Sequence, residues 1–270
     1  MFNQGKYKIL LALIFSMAVI AACGKKEPPV VDTTVSPVRI AVNSDFMPTA
    51  KLLAEQFTTN TGIGVEFSSG TDAELAQNIM DGAQIDVFMA SDTEHPNKLV
   101  EVGKANSEGG FVYAFGTAAL YSRSWKVNWT AGKYLKSGQF NKLALPSPED
   151  NRYGKAGLAA IEIFGVYDGV RDKLVYTDNE AQSLELVNKR EAAAGFIALS
   201  SISDEEKRWA WVVPQSFYEP IKQGAVLVNN EPLNRSANIW MGYLSSDAAQ
   251  SIIRQSGYSI LENDAVSSTQ

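Results

Sequence analysis

The sequence predicts an α/β protein of two domains. Strand-like apolar runs alternate with apolar residues at helical spacing. One run is apolar along almost its whole length, as a strand covered on both faces is, and the alternation starts afresh after a long strand-like segment. Val38 to Val42 is the first apolar run, and Ala50, Leu53, Ala54 and Phe57 follow it at helical spacing. Val65 to Phe67 is a brief strand. Leu75, Ala76, Ile79 and Met80 then mark a second helix, which Gly82 closes. Ile85 to Ala90 (IDVFMA), apolar apart from Asp86, reads as a buried parallel strand. Two consecutive βα units imply a parallel sheet with right-handed crossovers.

Phe111 to Tyr121 (FVYAFGTAALY) reads as one long strand leading into a Trp-rich stretch. The second alternation follows: strand Leu143–Leu145, helix Lys155–Phe164, strand Leu174–Tyr176, helix Ala181–Lys189 and strand Gly195–Leu199. Strand-like Trp211–Val213 and Ala225–Val228 lead into two terminal helices near Ser236–Leu244 and Asp247–Gln255. No internal repeat interrupts the pattern. A chain that leaves its first domain and later returns to it accounts for this order.

The N-terminal segment carries Lys6 and Lys8 ahead of an apolar run, Ile9 to Ile20, too short to span a bilayer comfortably. Ile20-Ala21-Ala22-Cys23-Gly24 then places small residues before the chain's only cysteine, the arrangement of a bacterial lipoprotein signal. Residues 1–22 are therefore expected to be removed and Cys23 to be acylated, anchoring an exported protein to a membrane. An ordinary secretory signal with an incidental cysteine is the plainer alternative. Residues 23–37, Pro-rich and without apolar periodicity, read as a flexible tether. A lone cysteine allows no disulfide within the chain, so stability after export rests on the core. Loss of Lys6 and Lys8 leaves 22 basic against 30 acidic residues, a net charge of −8. That balance argues against nucleic acid and against a polybasic membrane patch.

Catalytic chemistry is poorly supplied, and the chain is read as a non-enzyme. The single histidine, His95, lies in Thr93-Glu94-His95-Pro96, a helix-start context expected at the surface. No Gly-x-Ser-x-Gly elbow, P-loop or Gly-x-Gly-x-x-Gly is present. One histidine without a free thiolate argues against a zinc site, and no carboxylate run has EF-hand spacing. No cofactor is called for. Two strand-to-helix turns remain, Asn43-Ser44-Asp45 and Ser68-Ser69-Gly70-Thr71-Asp72-Ala73-Glu74. In a parallel sheet both lie at the carboxyl ends of strands, where ligands bind. The plain alternative is capping: Thr71 with Glu74 fits a capping box, and Asp45 or Asp72 could simply sit at a helix N-terminus.

Several segments resemble the periplasmic molybdate-binding proteins of ABC importers. They are Gln77 to Asp92 (QNIMDGAQIDVFMASD), Phe111 to Gly116, Tyr134 to Gly138, Gly195 to Ser200 and Asp247 to Ile253. The likeness runs from about Val38 to Ile260. It implies a class II periplasmic-binding fold, two α/β lobes joined by two crossing segments, with lobe I from 38–118 plus 221–264 and lobe II from 119–220. It also implies a monomer that closes its lobes on a small solute and passes it to an ABC permease, in the periplasm or on the cell surface. Members hold a tetrahedral oxyanion with backbone N–H groups, hydroxyls and side-chain amides. The matching positions are Ser44 and Asp45, Thr71 and Asp72, Tyr153 in Asn151-Arg152-Tyr153-Gly154, and Glu180 in the Asn179-Glu180 turn.

Three of those positions depart from the family. Asp45 stands where the related subgroup usually has asparagine, Asp72 where it has serine or threonine, and Glu180 where it has an aliphatic residue. A carboxylate at about 4 Å from a doubly charged oxyanion costs roughly 8 kcal/mol at an effective dielectric near 20. A micromolar affinity amounts to about 8 kcal/mol in total. The carboxylates therefore turn away and cap their helices, or one is held protonated, or the pocket is re-aimed at a cationic or neutral ligand for transport or sensing. An envelope lipoprotein that has lost binding is the remaining alternative.

Overall fold

The computed structural model describes residues 36–123, 131–230 and 232–260. The signal segment, Cys23, most of the tether, the Trp-rich stretch 124–130 and residues 261–264 of the expected lobe I lie outside them. Two five-stranded sheets organise the described chain.

The first sheet has the order β2-β1-β3-β10-β4, with β1 Val38–Asn43, β2 Val65–Gly70, β3 Val87–Met89, β4 Ala105–Gly116 and β10 Ile221–Val228. β1 pairs in parallel with β2 and β3, whereas β10 runs antiparallel between β3 and β4. Alternation along β1 sends Val38, Ile40 and Val42 to one face and Ala41 to the other. The first face is covered by α1 (Met47–Thr61), α9 (Arg235–Leu244) and α10 (Asp247–Gln255), with fully buried Trp240 edge-on to Phe57 at 5.1 Å. The second face is covered by α2 (Asp72–Met80) and α3 (Glu94–Glu101), through Leu75, Ile79 and Leu99. Apolar cover on both sides is what made the strands read as continuous apolar runs.

The second sheet repeats the plan in the order β7-β6-β8-β5-β9, with β5 Ala118–Tyr121, β6 Leu143–Pro146, β7 Leu174–Thr177, β8 Ala194–Ala198 and β9 Ala210–Val212. β6 is parallel to β7 and β8, and β5 antiparallel to β8 and β9. Leu143 and Leu145 pack with α4 (Ala131–Ser137) and α5 (Arg152–Ile163), while Ala144 meets Val187 of α7 (Glu180–Asn188) on the opposite face. Short α6 (Tyr167–Val170) and α8 (Asp204–Lys207) complete the helices among the described residues.

The strand-like segment Phe111–Tyr121, in which the boundary between the expected lobes falls, is two strands. β4 ends at Gly116 and β5 begins at Ala118, in a different sheet, so Thr117 is the whole connection. The chain returns to the first sheet between Val212 and Ile221. His95 departs from its expected surface placement as well. It is half-buried, with Nδ1 2.8 Å from Asp92 Oδ2.

One buried polar cluster fixes the start of the first sheet. The almost fully enclosed carboxylate of Asp86 accepts from Arg39 N at 2.8 Å, Nε at 3.0 Å and Nη2 at 2.6 Å, and from Asn234 Nδ2 at 3.0 Å. Burial alone would raise this carboxyl, and the Arg39 and Asn234 bonds outweigh it, leaving it below its ordinary value. It ties β1 and the start of β3 to the N-terminus of α9.

Candidate solute-binding site

The carboxyl ends of the parallel strands in both sheets open on one cavity of about 620 Å³. From the first sheet it receives Ser44 and Asp45 after β1, and Ser91, Asp92 and Glu94 after β3. From the second it receives Asn151 to Tyr153 after β6 and Glu180 and Ala181 after β7. Gln223 of β10 and Tyr258 beyond α10 close it. One pair joins the two sides across it, Arg152 Nη2 meeting Glu94 Oε1 at 3.0 Å; within the first side, Tyr258 Oη donates to the carbonyl of Asp45 at 3.3 Å.

The first turn answers the capping question for Asp45. Asn43, not Asp45, is the cap: its Oδ1 accepts from Asp45 N at 3.0 Å and so starts the short 3-10 turn Ser44–Phe46. The Asp45 carboxylate is left facing the cavity, with no hydrogen bond from the protein among the described residues. Protein surrounds it on several sides while its surface stays open to the cavity. Burial pushes its carboxyl up, and the charge of Asp72 adds to the shift. Ser44 Oγ lies 3.1 Å from Ser69 Oγ and 3.2 Å from the carbonyl of Gly70.

The second turn is occupied by its own structure. Thr71 forms the expected capping box, accepting from Glu74 N at 3.3 Å while Glu74 Oε2 accepts from Thr71 N at 3.0 Å. Asp72 is buried and accepts from Asn43 Nδ2 at 2.9 Å and Ser91 Oγ at 2.6 Å, which splices the β1, β2 and β3 turns together. Neither Thr71 nor Asp72 lines the cavity. Of the six sequence candidates, Ser44, Asp45, Tyr153 and Glu180 are brought together there.

Tyr153 is the second residue of α5, whose cap Asn151 accepts from Gly154 N at 3.0 Å. Its ring packs in the core of the second sheet. Its hydroxyl reaches the cavity past Gly116, where a Cβ would fall 2.3 Å from it. The side chain is nine-tenths buried, and the hydroxyl makes no hydrogen bond to protein among the described residues. Burial, then the nearby Tyr258, Glu180 and Asp45, hold that phenol well above its ordinary value, so it remains a donor.

Glu180 opens α7, capped by Asn179. Asn151 Nδ2 donates to Glu180 Oε2 at 2.8 Å. Burial nevertheless raises its carboxyl, and Asp45 across the cavity raises it further. Tyr258 feels both carboxylates, and burial chiefly pushes it up to about 12. The lining holds five acidic residues (Asp45, Asp92, Glu94, Asp150 and Glu180) against Arg152 and Lys155, so no surplus of cations offsets a dianion. Asp72, Asp92 and His95 each place one potential metal-ligand atom within 4.8 Å of the others. Asp72 accepts from Asn43 and Ser91, and Asp92 bonds His95, which is a structural cluster.

Sequence reasoning missed Ser91, Asp92, Gln223 and Tyr258. Ser91-Asp92 closes the IDVFMASD run and carried a strand-end signal. Gln223 and Tyr258 arrive more than a hundred residues after the first-sheet turns at 44–45 and 91–94 and carried none.

Two α/β lobes, with a polar cavity lined from the strand ends of each, define a solute-binding protein. The chain belongs to the bacterial extracellular solute-binding proteins, the family matched over residues 38–259. It is 32% identical over 248 residues to the molybdate-binding protein ModA of Rhodobacter capsulatus, covering 92% of this chain and 93% of the relative. The solved periplasmic molybdate-binding protein of Azotobacter vinelandii superposes with a TM-score of 0.68 at 28% identity, over 83% of this chain and 100% of that one. The substrate-binding domain of a putative molybdenum ABC transporter from Clostridium difficile superposes with a TM-score of 0.73 at 20% identity, over 84% and 100%, a likeness of fold. These relatives are solute-binding transport proteins, not enzymes.

Proposed function

We infer that this protein is the capture component of an ABC importer and holds a small tetrahedral oxyanion of the molybdate type between its lobes. The observation that carries the reading is the Tyr153 hydroxyl, a donor on a nine-tenths buried side chain that faces the cavity without a protein partner. Ser44 supplies a second hydroxyl by turning its O–H from the Gly70 carbonyl, to which it donates at 3.2 Å, toward the ligand. The N-termini of α5 and α7, with positive dipole ends and first-turn N–H groups that lie outside the helix's own bonding pattern, converge from the other lobe. Ser44, Asp45, Tyr153 and Glu180 are the contact residues of this reading, and the names of the molybdate-binding relatives support it.

The cavity is several times larger than one such ion, so gripping it requires the lobes, 38–118 with 221–264 and 119–220, to close. Exported location, anchorage through Cys23, a monomeric state and delivery to a permease complete the proposal.

Asp45 and Glu180 favour a second reading, a cationic or hydroxyl-rich solute. A thermal-shift panel of molybdate, sulfate, phosphate, divalent cations and polyamines separates the two, because a solute that binds only the folded state raises Tm. The oxyanion reading expects a rise with at least one oxyanion, lost in Tyr153→Phe. A rise with cations or polyamines alone refutes it.

A further inference from the structure

The oxyanion reading leaves two carboxylates facing its ligand, and they differ from the rest of the lining. Asp45 enters from the first sheet and Glu180 from the second, and each senses protein burial more than any cation. The two cations of the cavity do not serve them: Arg152 is committed to Glu94, and Lys155 is a solvent-exposed residue one turn along α5. Among the described residues, the only hydrogen bond to either carboxylate from another residue's side chain is that of the neutral donor Asn151 Nδ2 to Glu180 Oε2. The cavity thus presents acceptors beside donors. A fully deprotonated oxyanion, which has acceptors only, can pair with Tyr153, Ser44 and the helix ends but can only repel Asp45 and Glu180.

We propose that the bound oxyanion is held through one shared proton, an O–H that bridges a ligand oxygen and the carboxylate of Asp45 or Glu180. This rests on the oxyanion reading and names its ligand class, an oxyanion together with a proton. Such a charge-assisted O–H···O bond turns the most repulsive contact of the pocket into an attractive one. The proton has two possible sources. An anion of the hydrogen phosphate type brings its own O–H, and no proton is exchanged with solvent. Molybdate brings none at neutral pH, so one proton moves from solvent onto the carboxylate as the ion binds.

The neighbours of the pair favour uptake. Asp72 stands behind Asp45 on α2, Asp92 and Glu94 follow β3, and Asp150 precedes α5, against Arg152 and Lys155 on that helix. Tyr153 and Tyr258 remain neutral donors. Burial, followed by the charge of Asp72 on Asp45, and burial, opposed by Asn151 and assisted by Asp45 on Glu180, raise both carboxyls toward protonation. His95 lies one residue beyond Glu94 and bonds Asp92, so it is the ionisable neighbour that the test has to control for.

The test is calorimetric titration of the purified wild type with sodium molybdate and with sodium phosphate, between about pH 6 and pH 8.5, in two buffers of different ionisation enthalpy. Molybdate is expected to bind with close to one proton taken up per ion, its affinity falling up to about tenfold per pH unit in the upper part of the range. Phosphate at about pH 8, where it retains one O–H, is expected to bind without uptake. Asp45→Asn with Glu180→Gln should abolish the molybdate uptake, and His95→Gln should leave it intact. The proton count of the wild type stands whether or not the double variant folds. Molybdate binding with a flat pH profile and no uptake overturns the shared proton and leaves the oxyanion reading standing. Uptake that survives in the folded double variant, or disappears in His95→Gln, overturns it too. Failure of both anions to bind at any pH overturns this inference, and failure of sulfate as well refutes the oxyanion reading itself.

Discussion

Gly116→Ala is expected to weaken oxyanion binding without touching the ligand. The added Cβ would stand 2.3 Å from the Tyr153 hydroxyl oxygen and 2.9 Å from Ile221 Cγ2. Nonbonded heavy atoms rest at about 3.5 Å, so the hydroxyl has to retreat by roughly 1 Å. That retreat exceeds the tolerance of an O–H···O bond, whose donor and acceptor stay within about 2.5–3.0 Å. The ring cannot simply slide, because Tyr153 is packed in the core of the second sheet and Gly154 beside it abuts Pro146, where a Cβ would fall 2.1 Å from the carbonyl oxygen. Loss of one bond from a neutral donor to a charged ligand is worth about 1.5–3 kcal/mol, or roughly 10- to 100-fold in Kd. Overpacking adds about 1–3 kcal/mol of instability, which urea unfolding reads separately. Calorimetry should show a similar loss in Tyr153→Phe, and little further loss when Gly116→Ala is added to it, because no hydroxyl is left to displace. Wild-type affinity in Gly116→Ala, or full additivity of the two changes, would refute the placement of this hydroxyl on the ligand.

Three further outcomes follow from the same geometry. Asp86→Asn keeps the shape of the Arg39 cluster but removes its charge. With the Arg39 side chain 32% exposed, the loss should be about 2–3 kcal/mol near pH 7 by urea unfolding, below the full cost of breaking a buried pair. Because the folded carboxyl lies below its ordinary value, this stabilisation is present above the unfolded value of about 4 and fades as pH falls through the folded one, so the gap between wild type and variant should narrow in acid. Thr71→Ala should cost about 1 kcal/mol of stability through the lost capping box and leave oxyanion affinity unchanged. Cys23→Ala should move the exported protein from membranes to the soluble fraction, and a variant that stays with membranes would count against lipid anchorage.

The elements legible in the sequence were those whose apolar pattern is set by one neighbouring layer. Residues 247–255 form a helix with the expected bounds, because Ala249 and Ile253 face the core at one-turn spacing and Ser246 supplies the cap. Within Phe111–Tyr121 the apolar pattern alone did not mark where one strand ends and the next begins, because β4 and β5 are both buried at their junction; the lobe boundary there came from the family resemblance. Residues 105–110 of β4 escaped notice, since Asn106, Ser107 and Glu108 are exposed and lend the strand no apolar signal. At the site, the strand-end turns could be found, but not which side chain each turn turns inward. Asn43 and Asp45 are both plausible caps on paper, and only the folded turn shows that Asn43 takes the N–H and frees Asp45. Asp72 looked as much a ligand contact as Asp45 did. The bonds it accepts from Asn43 and Ser91, one from each neighbouring turn, make it a splice instead.

The position of β10 also governs the order in which the molecule can be made. This strand lies between β3 and β4, yet it is drawn from residues 221–228, after the whole of the second sheet. A chain emerging from its N-terminus can finish the second sheet from contiguous residues 118–212, while β3 and β4 wait with unpaired edges for a strand not yet delivered. Closing that gap spans more than a hundred residues, a long loop to close and a slow step. The lobe bearing Ser44 and Asp45 is thus the last to mature, and its two waiting edges are where an interrupted chain would aggregate or engage a chaperone.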